Sequence, residues 1–249
     1  MLDVIKHADV TELSLSRPPA NALTQELLER LLGAHEIAVA EGARAIIISG
    51  SENMFSAGLD VPVLLAKNRA EIEEFWLTFF TLLNNVAKSV IPVGAAITGH
   101  APAGGMVLAL YCDFRVASRG DFKLGLNEVS VGLPVSRNVL YALESAIGQR
   151  RAAWHASSGE LISPQQAYDI GLVDVLADSP AEVVAACLRR AEQLLALPQV
   201  AMNRTRLAAK SSLLDMSAEK SSYVRLAVDA WFSDEAQDMM RLMVEKLSK

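Results

Sequence analysis

The sequence predicts an α/β fold in which buried strands alternate with helices. Three largely apolar runs, at residues 43–49, 92–98 and 114–117, have the length of strands that are buried on both faces of a sheet. An amphipathic helical pattern separates the first run from the second, and a shorter helix separates the second from the third. Strands that alternate with helices in this order indicate a sheet that is covered by helices.

Before the first run, the sequence predicts two short strands and one long helix. We expect strands at residues 2–7 and 11–15 and a loop at RPPANAL, residues 17–23. Thr24 is a suitable N-cap for the helix that follows, and Gly42 is expected to end it. The apolar face of this helix is predicted to consist of Leu27, Leu28, Leu31, Leu32 and His35/Ile37.

The two helices between the buried runs are indicated by different signals. The shorter one is predicted from Met106 to Tyr111, opened by Ala103-Gly104-Gly105. The longer one shows apolar residues at helical spacing, namely Ile72, Phe75, Phe79, Leu82 and Val86.

Past residue 135 the pattern becomes mostly helical. Ser163-Pro164 and Ser179-Pro180 combine a capping residue with a first-turn proline and are typical of helix starts. Gly171 is expected to end a helix, and residues 172–176 are predicted to be one more strand. A last helix is expected to start at Ser233-Asp234-Glu235 and to carry an apolar set of Met239, Met240, Leu242, Met243, Val244 and Leu247.

Composition excludes several classes of protein. The hydrophobic fraction of 51 % and the charged fraction of 21 % are enough for a real core and argue against disorder. The net charge is −6 and no Lys/Arg run stands out, so we expect no nucleic-acid partner. No charged residue lies between Lys88 and Asp113, but six prolines and glycines there break any single spanning helix, so no membrane partner is expected.

The cysteines, histidines and first residues set further expectations. Cys112 and Cys187 form no CxxC pair and are expected to be reduced thiols of a cytoplasmic protein. The start, MLDVIKHADV, lacks the basic and apolar pattern of a leader. Nucleotide-binding glycine motifs and the GxSxG motif are absent from the sequence. The four histidines share no metal-ligand spacing, so no metal is expected.

Two glycine-containing loops are candidates for a catalytic site. Ser56-Ala57-Gly58-Leu59-Asp60 follows one buried strand, and Pro102-Ala103-Gly104-Gly105 lies between another buried strand and a helix. Glycine lets a backbone approach a ligand closely, and a helix start offers free N–H groups. Together the loops could direct two N–H donors at one oxygen, as an oxyanion hole does. Each loop alone is equally compatible with an ordinary tight turn.

A third candidate is Glu128, within the otherwise apolar stretch LGLNEVSVGLPV. Buried carboxylates are rare unless they are paired or functional. The alternative is a solvated glutamate in a turn.

In their order along the chain, SAGLD, PAGG followed by LALYCD, and GLNE resemble the crotonase superfamily. More narrowly, they resemble its Δ3-Δ2-enoyl-CoA isomerases of mitochondrial type, as do RPPANAL and FSDEAQDMM near the two ends. The resemblance implies a spiral of ββα units at residues 1–195 and a C-terminal helical oligomerisation region at 196–249. It also implies a homotrimer or a hexamer, with the last helix covered by neighbouring subunits; cover by its own domain is the alternative.

The resemblance also implies roles for individual residues. Leu59 and Gly104 would give the two N–H groups to the thioester oxygen, and Glu128 would be the catalytic base. The substrate would be a coenzyme A thioester, with no separate cofactor. The residues implied to contact it are Ser56, Ala57, Gly58, Leu59, Asp60, Gly104 and Asn127.

The expected reaction is the shift of a 3-enoyl-CoA double bond to 2-enoyl-CoA in fatty-acid β-oxidation. Hydratases of the superfamily carry a second glutamate at the position of Val107, and valine cannot titrate. The segment Leu133-Pro134-Val135-Ser136-Arg137 departs from the aromatic residues expected of the isomerases, which leaves the acyl-chain preference open. Alternatives are hydration, dienoyl isomerisation, thioester hydrolysis, and a non-catalytic acyl-CoA-binding or scaffold role. An RNA-binding relative is disfavoured by the acidic charge.

Overall fold

The computed structural model describes residues 1–216 and 219–247. Its strands are β1 (Leu2–His7), β2 (Val10–Leu15), β3 (Ala45–Ser49), β4 (Asn53–Met54), β5 (Val93–Ile97), β6 (Gly99–Pro102), β7 (Phe114–Ser118), β8 (Leu124–Gly125) and β9 (Val175–Ala177). Its helices are α1 (Gln25–Ala40), α2 (Val61–Leu64), α3 (Arg69–Ala87), α4 (Gly104–Tyr111), α5 (Arg137–Ile147), α6 (Gln149–Ser158), α7 (Pro164–Asp169), α8 (Pro180–Leu195), α9 (Gln199–Ala209), α10 (Ser211–Met216), α11 (Lys220–Trp231) and α12 (Asp234–Leu247), with a 3-10 turn η1 at Glu128–Val131.

The main sheet confirms the α/β prediction. Its strand order is β1-β2-β3-β5-β7-β9, in which only the β1–β2 pair is antiparallel. Every residue of β3, β5 and β7 is buried, because helices cover both faces of the sheet. In β3, Ile46 and Ile48 belong to the main core, whereas Ala45 and Ile47 belong to a second apolar cluster that contains residues of α8.

A second, three-stranded sheet was not anticipated as a separate layer. Its order is β4-β6-β8, and all its strand pairs are parallel. Each of its strands follows a main-sheet strand after a few residues, so β3–β4, β5–β6 and β7–β8 are successive pairs. This repeat is the crotonase-type spiral that the resemblance implies. Gly99 lets β4 and β6 pack closely, since a Cβ there would lie 1.9 Å from the carbonyl carbon of Asn53.

The helix predictions are largely confirmed at the helix starts. The Thr24 hydroxyl accepts a hydrogen bond from the Leu27 N–H, and Ser163 forms a capping box with Gln166. On α1, His35 is buried, whereas Ile37 is 59 % exposed and lies outside the apolar face. Helix α4 begins at Gly104 rather than at Met106.

The strand predicted at residues 172–176 is wrong for its first half, since β9 runs from Val175 to Ala177. The amides of Leu172 and Val173 both donate to the Ala167 carbonyl and close the end of α7. These residues are apolar because they are buried behind that helix end, not because they pair in the sheet.

The last helix is covered partly by its own chain, and cover of the remainder by neighbouring subunits stays a prediction. Ala236 and Met240 are fully buried, and Met243 and Val244 pack against the core. Met239 and Leu242 are 40 % and 49 % exposed. The Leu247 side chain and residues 217, 218, 248 and 249 lie outside the described part of the chain. The chain itself therefore covers one part of the apolar set of α12 and leaves Met239 and Leu242 exposed.

A buried ionic cluster joins the C-terminal helices to the sheet. The Asp113 carboxylate, one residue before β7, contacts Arg206 of α9 at 3.1 Å and Lys210 at 2.8 Å, with the three side chains 5–15 % exposed. The same carboxylate accepts the Val93 N–H of β5 at 2.7 Å. This cluster fixes α9 against the strand ends, so the C-terminal region is not an independent appendage. The division at residue 195 stays a prediction.

No helix among residues 1–216 and 219–247 is long and apolar enough to cross a membrane.

Candidate active site

The structure brings the three predicted site segments together. Pairing of β6 with β8 places Pro102 opposite Gly125, and the Ala103 N–H donates to the Gly125 carbonyl at 2.9 Å. Glu128 lies three residues further along the chain. On the other side, the position of a Cβ on Gly58 is only 3.0 Å from the Gly104 nitrogen. The two glycine loops and the glutamate turn therefore form one continuous site.

Close contact between the two loops depends on missing side chains. A Cβ on Gly105 would lie 2.4 Å from the Ser56 carbonyl oxygen. Gly58 has a φ of +84°, a conformation that L side chains rarely adopt. Gly58 and Gly105 are thus explained by the close approach of the two loop backbones.

The backbone geometry leaves the N–H groups of Leu59 and Gly104 as candidate donors. Leu23 forms a parallel bridge with Leu59, through bonds from the Leu23 N–H to the Gly58 carbonyl and from the Asp60 N–H to the Leu23 carbonyl. In such a bridge the Leu59 N–H points away from Leu23. Gly104 is the first residue of α4, and its N–H has no acceptor within the helix. Both amides can donate to a substrate oxygen.

Ala103, which precedes this helix, has an unusual backbone. Its φ of +46° and ψ of −125° lie in a region that a non-glycine residue seldom occupies. Such conformations cost about 1–3 kcal/mol and concentrate at functional sites. The strained residue stands directly before the proposed donor Gly104, where the chain turns from β6 into α4.

The side chains of the first loop hold the loop itself. The buried Ser56 hydroxyl donates to the Asn21 carbonyl and accepts the Gly58 N–H. Asp60 forms an ion pair with Arg17 at 2.7 Å and caps α2 by accepting the Val63 N–H. Ser56 and Asp60, predicted to line the coenzyme A, thus have their side chains engaged within the chain. The backbone N–H groups of Ser56, Ala57, Gly58 and Asp60 also donate within the chain, which leaves the Leu59 N–H as the candidate donor of this loop.

Asn21 is a supporting residue that the sequence did not single out. It is fully buried, with a φ of +49°, and its side chain bonds to the Arg17 N–H, the Ser51 hydroxyl and the carbonyls of Met54 and Phe55. The positive φ suits asparagine, which tolerates this conformation. Its place in RPPANAL was visible, but its partners Ser51, Met54 and Phe55 lie 30–34 residues away along the chain.

Glu128 opens the 3-10 turn η1, where the chain leaves β8. The residue is partly buried, but its Oε2 atom is shielded from solvent and has no hydrogen-bond partner within residues 1–216 and 219–247. Burial raises the pKa of Glu128 from 4.5 to about 7, against a smaller lowering by a hydrogen bond from its own backbone N–H. A carboxylate that is half-ionised near neutral pH is suited to accept and return a proton.

Asn127 and Val107 complete the predicted set. The Asn127 Oδ1 atom is also buried and has no hydrogen-bond partner in the described part of the chain, so an unused polar atom accompanies the glutamate. Val107 is 3 % exposed in the first turn of α4, with its N–H bonded to the Ala103 carbonyl. No group of three metal-ligating side chains occurs among the described residues.

An open pocket of about 710 Å³ lies elsewhere, where α5 meets α6, and includes Arg150, Arg151 and Trp154. It contains none of the predicted site residues. Its lining also includes His155, but neither glycine loop reaches it, so the predicted base and oxyanion donors lie together only in the three convergent segments.

Comparison with known proteins identifies the family of the chain. Residues 6–248 match the family model for enoyl-CoA hydratase/isomerase. The human mitochondrial protein enoyl-CoA delta isomerase 1 is 27 % identical over 246 residues, which cover 97 % of this chain and 81 % of the human one. A probable enoyl-CoA hydratase, EchA17, of Mycobacterium tuberculosis H37Rv is 31 % identical over 234 residues, covering 90 % and 87 % of the two chains.

Solved structures agree on the fold. The crystal structure of human mitochondrial Δ3-Δ2-enoyl-CoA isomerase has a TM-score of 0.94 at 26 % identity and covers 99 % of this chain and 98 % of its own. An enoyl-CoA hydratase/isomerase family protein from Pseudomonas syringae has a TM-score of 0.84 at 25 % identity, over 91 % and 97 % of the two chains. The chain belongs to the enoyl-CoA hydratase/isomerase family, within the crotonase superfamily.

Proposed function

We propose that the protein shifts the double bond of a 3-enoyl-CoA to give the 2-enoyl-CoA, with Glu128 as the only acid-base residue. The observation that carries this proposal is the buried Glu128 carboxyl with a pKa of about 7, in a chain with Val107 at the second glutamate position of the hydratases. The coenzyme A thioester is the substrate, and the proposed reaction requires no further cofactor.

The proton balance of the reaction requires one base. The Leu59 and Gly104 amides polarise the thioester carbonyl, and ionised Glu128 removes a proton from C2. The electron pair spreads over a dienolate, with most of its charge on the oxygen that the two amides face. Glu128 then returns the proton at C4, so the substrate neither gains nor loses atoms. A positioned base contributes about 10²–10⁴-fold and one oxyanion donor about 10²–10³-fold.

Asn127 is proposed to lie beside the substrate. Its buried Oδ1 atom, without a partner among the residues described, supports this role because a ligand would supply the missing hydrogen bond. The Ser56–Asp60 loop is proposed to line the coenzyme A thioester with the Leu59 N–H as its donor, because the side chains of Ser56 and Asp60 and the other four backbone amides bind within the chain.

Hydration of a 2-enoyl-CoA is the second candidate, favoured by relatives that are named probable hydratases. Hydration removes a proton from water and places one on carbon, which is work that two carboxylates share in the superfamily's hydratases. The apolar Val107 side chain can do neither, so we expect hydration to be slow.

One assay separates the candidates. The protein is incubated with 3-hexenoyl-CoA and 3-decenoyl-CoA, and separately with 2-enoyl-CoA. We expect migration of the double bond in the 3-enoyl substrates, and their relative rates give the acyl-chain preference. Rapid formation of 3-hydroxyacyl-CoA from 2-enoyl-CoA, without double-bond migration, would replace the isomerase assignment by a hydratase.

We also propose a homotrimer of about 80 kDa, three times the 26.8 kDa chain, or a hexamer of twice that size. Support comes from apolar side chains that the single chain leaves uncovered on its C-terminal helices, including Val200 at 68 % and Leu226 at 62 % exposure. Light scattering at micromolar concentration is expected to show one of these masses, and a monomer would contradict the assembly. The cytoplasmic location stays a prediction; the similar human protein is mitochondrial.

A further inference from the structure

We propose that α12 is a positioning element for catalysis: its contact with Gly132 holds the turn that carries Glu128 in place relative to the loop that carries Leu59. The inference rests on the proposed function, because that function makes Glu128 the base and Leu59 an oxyanion donor. The positioning residues are Gly132 and Ala236, neither of which is assigned a contact with the substrate.

The first contact joins α12 to the end of the glutamate turn. Gly132 follows η1 with a φ of +75°, and a Cβ on it would lie 2.8 Å from the Ala236 Cα and 3.0 Å from the Ala236 nitrogen. The helix backbone therefore rests directly on the backbone of the turn. Because the Leu133 N–H donates to the Glu128 carbonyl at 3.1 Å, a displacement of Gly132 is transmitted to Glu128.

The second contact joins α12 to the oxyanion loop. Helix α12 packs on α2, which begins at Val61, two residues after Leu59. The Asp60 carboxylate caps α2 and pairs with Arg17, so α2 and the loop form one braced unit. A single helix thus touches both the segment of the base and the segment of the donor.

The position of α12 is itself fixed by the core. The Ser233 hydroxyl accepts the Ala236 N–H at 3.3 Å, and the Gln237 side chain donates to the Trp231 carbonyl at 2.8 Å. Trp231 and Met240 are buried. A rigid support of this kind matters because a misplacement of about 1 Å in a catalytic geometry can cost about 10²-fold in rate.

The test uses a pair of glycine substitutions that differ in one respect. Gly132→Ala must push the turn and α12 apart, and we expect kcat to fall about 10–100-fold with a small change in KM, from misplacement of the base. Gly42→Ala is the matched control: Gly42 has a φ of +88° but nothing within 4 Å of its Cβ position. It carries the same kind of backbone strain without the contact, so its kcat should equal that of the wild type.

Ala236→Val enlarges the side chain on the α12 side of the same contact. It serves as the second test variant if Gly132→Ala does not fold. A substrate-free readout is the titration of Glu128, followed by its infrared carboxyl band and identified by subtraction of the Glu128→Gln spectrum. We expect both contact variants to lower the Glu128 pKa, because a displaced turn admits water.

A folded contact variant with wild-type kcat and an unchanged Glu128 titration would overturn the proposal, even if its melting temperature fell. Absence of isomerase activity in the wild type would instead refute the proposed function. The Glu128 titration would then still decide whether α12 positions the turn.

Discussion

Glu128→Gln is expected to lower isomerase turnover by at least about 10²-fold, the lower end of the contribution of a general base. Glutamine keeps the shape of the side chain but cannot accept a proton in this pH range. Binding of the coenzyme A thioester is expected to persist, because the predicted contacts with it come mainly from backbone groups of other segments. Steady-state kinetics on a 3-enoyl-CoA, together with a binding titration, measure the two effects separately.

Glu144→Gln is a suitable control for this substitution. Glu144 is the next carboxylate along the chain after Glu128, lies on α5, and pairs with Arg137 at 3.0 Å. The same chemical change there should leave turnover near that of the wild type. Near-normal turnover in Glu128→Gln would remove Glu128 from its assigned role.

The pH dependence of the wild type follows from the raised pKa. Since the base must be ionised, kcat/KM is expected to rise with pH through about 7 and then level off, provided that the substrate does not titrate there. Glu128→Gln should lack this ascending limb.

Stability should change with pH in the opposite direction to activity. Because folding raises the pKa of Glu128 from 4.5 to about 7, the folded state favours the protonated carboxyl. The contribution of Glu128 to folding is therefore fully present below about 4.5 and is lost as pH rises through about 7. Above that pH, Glu128→Gln should be more stable than the wild type, by at most about 3–4 kcal/mol for a shift of this size. Urea unfolding of both proteins at several pH values tests this difference.

The sequence could predict the central strands of the main sheet and the two glycine loops of the candidate site, because both depend on local patterns. The apolar runs around Ile47, Ala95 and Val116 gave the three central strands, since strands buried on both faces need no polar alternation. The glycines of the two loops were recognisable because close backbone approach excludes a side chain, as at Gly58 and Gly105.

What the sequence could not predict depends on distant contacts. Strands β4 and β8 are two residues long, too short to show any periodicity. The apolar Leu172 and Val173 resembled a strand because burial behind a helix end and burial in a sheet require the same residue types. The contact between Gly132 and Ala236 joins residues about a hundred positions apart, and neither local sequence predicts it.

Gly104→Val is expected to lower kcat/KM by about 10²–10³-fold, the loss that accompanies removal of one oxyanion donor. The donor is a backbone N–H, so the substitution acts by displacement and obstruction. A Cβ on Gly104 would lie 2.9 Å from Leu59 Cδ1, 3.2 Å from Leu23 Cδ1 and 3.3 Å from the Gly58 Cα, and valine adds two methyl groups beyond it. The added atoms crowd the space between the two donor loops, where the thioester oxygen is proposed to lie.

Gly33→Val is the control, since Gly33 lies within α1 with nothing within 4 Å of its Cβ position. Circular dichroism should confirm that both variants keep the wild-type helix content, so that the kinetic difference reports on the site. In Gly104→Val we expect kcat to fall and not only KM to rise. The reason is that the dienolate oxygen carries more negative charge than the substrate carbonyl and depends more on the donor. If Gly104→Val is folded and turns over 3-enoyl-CoA at the wild-type rate, Gly104 does not face the reacting carbonyl and the oxyanion hole must be formed by other amides.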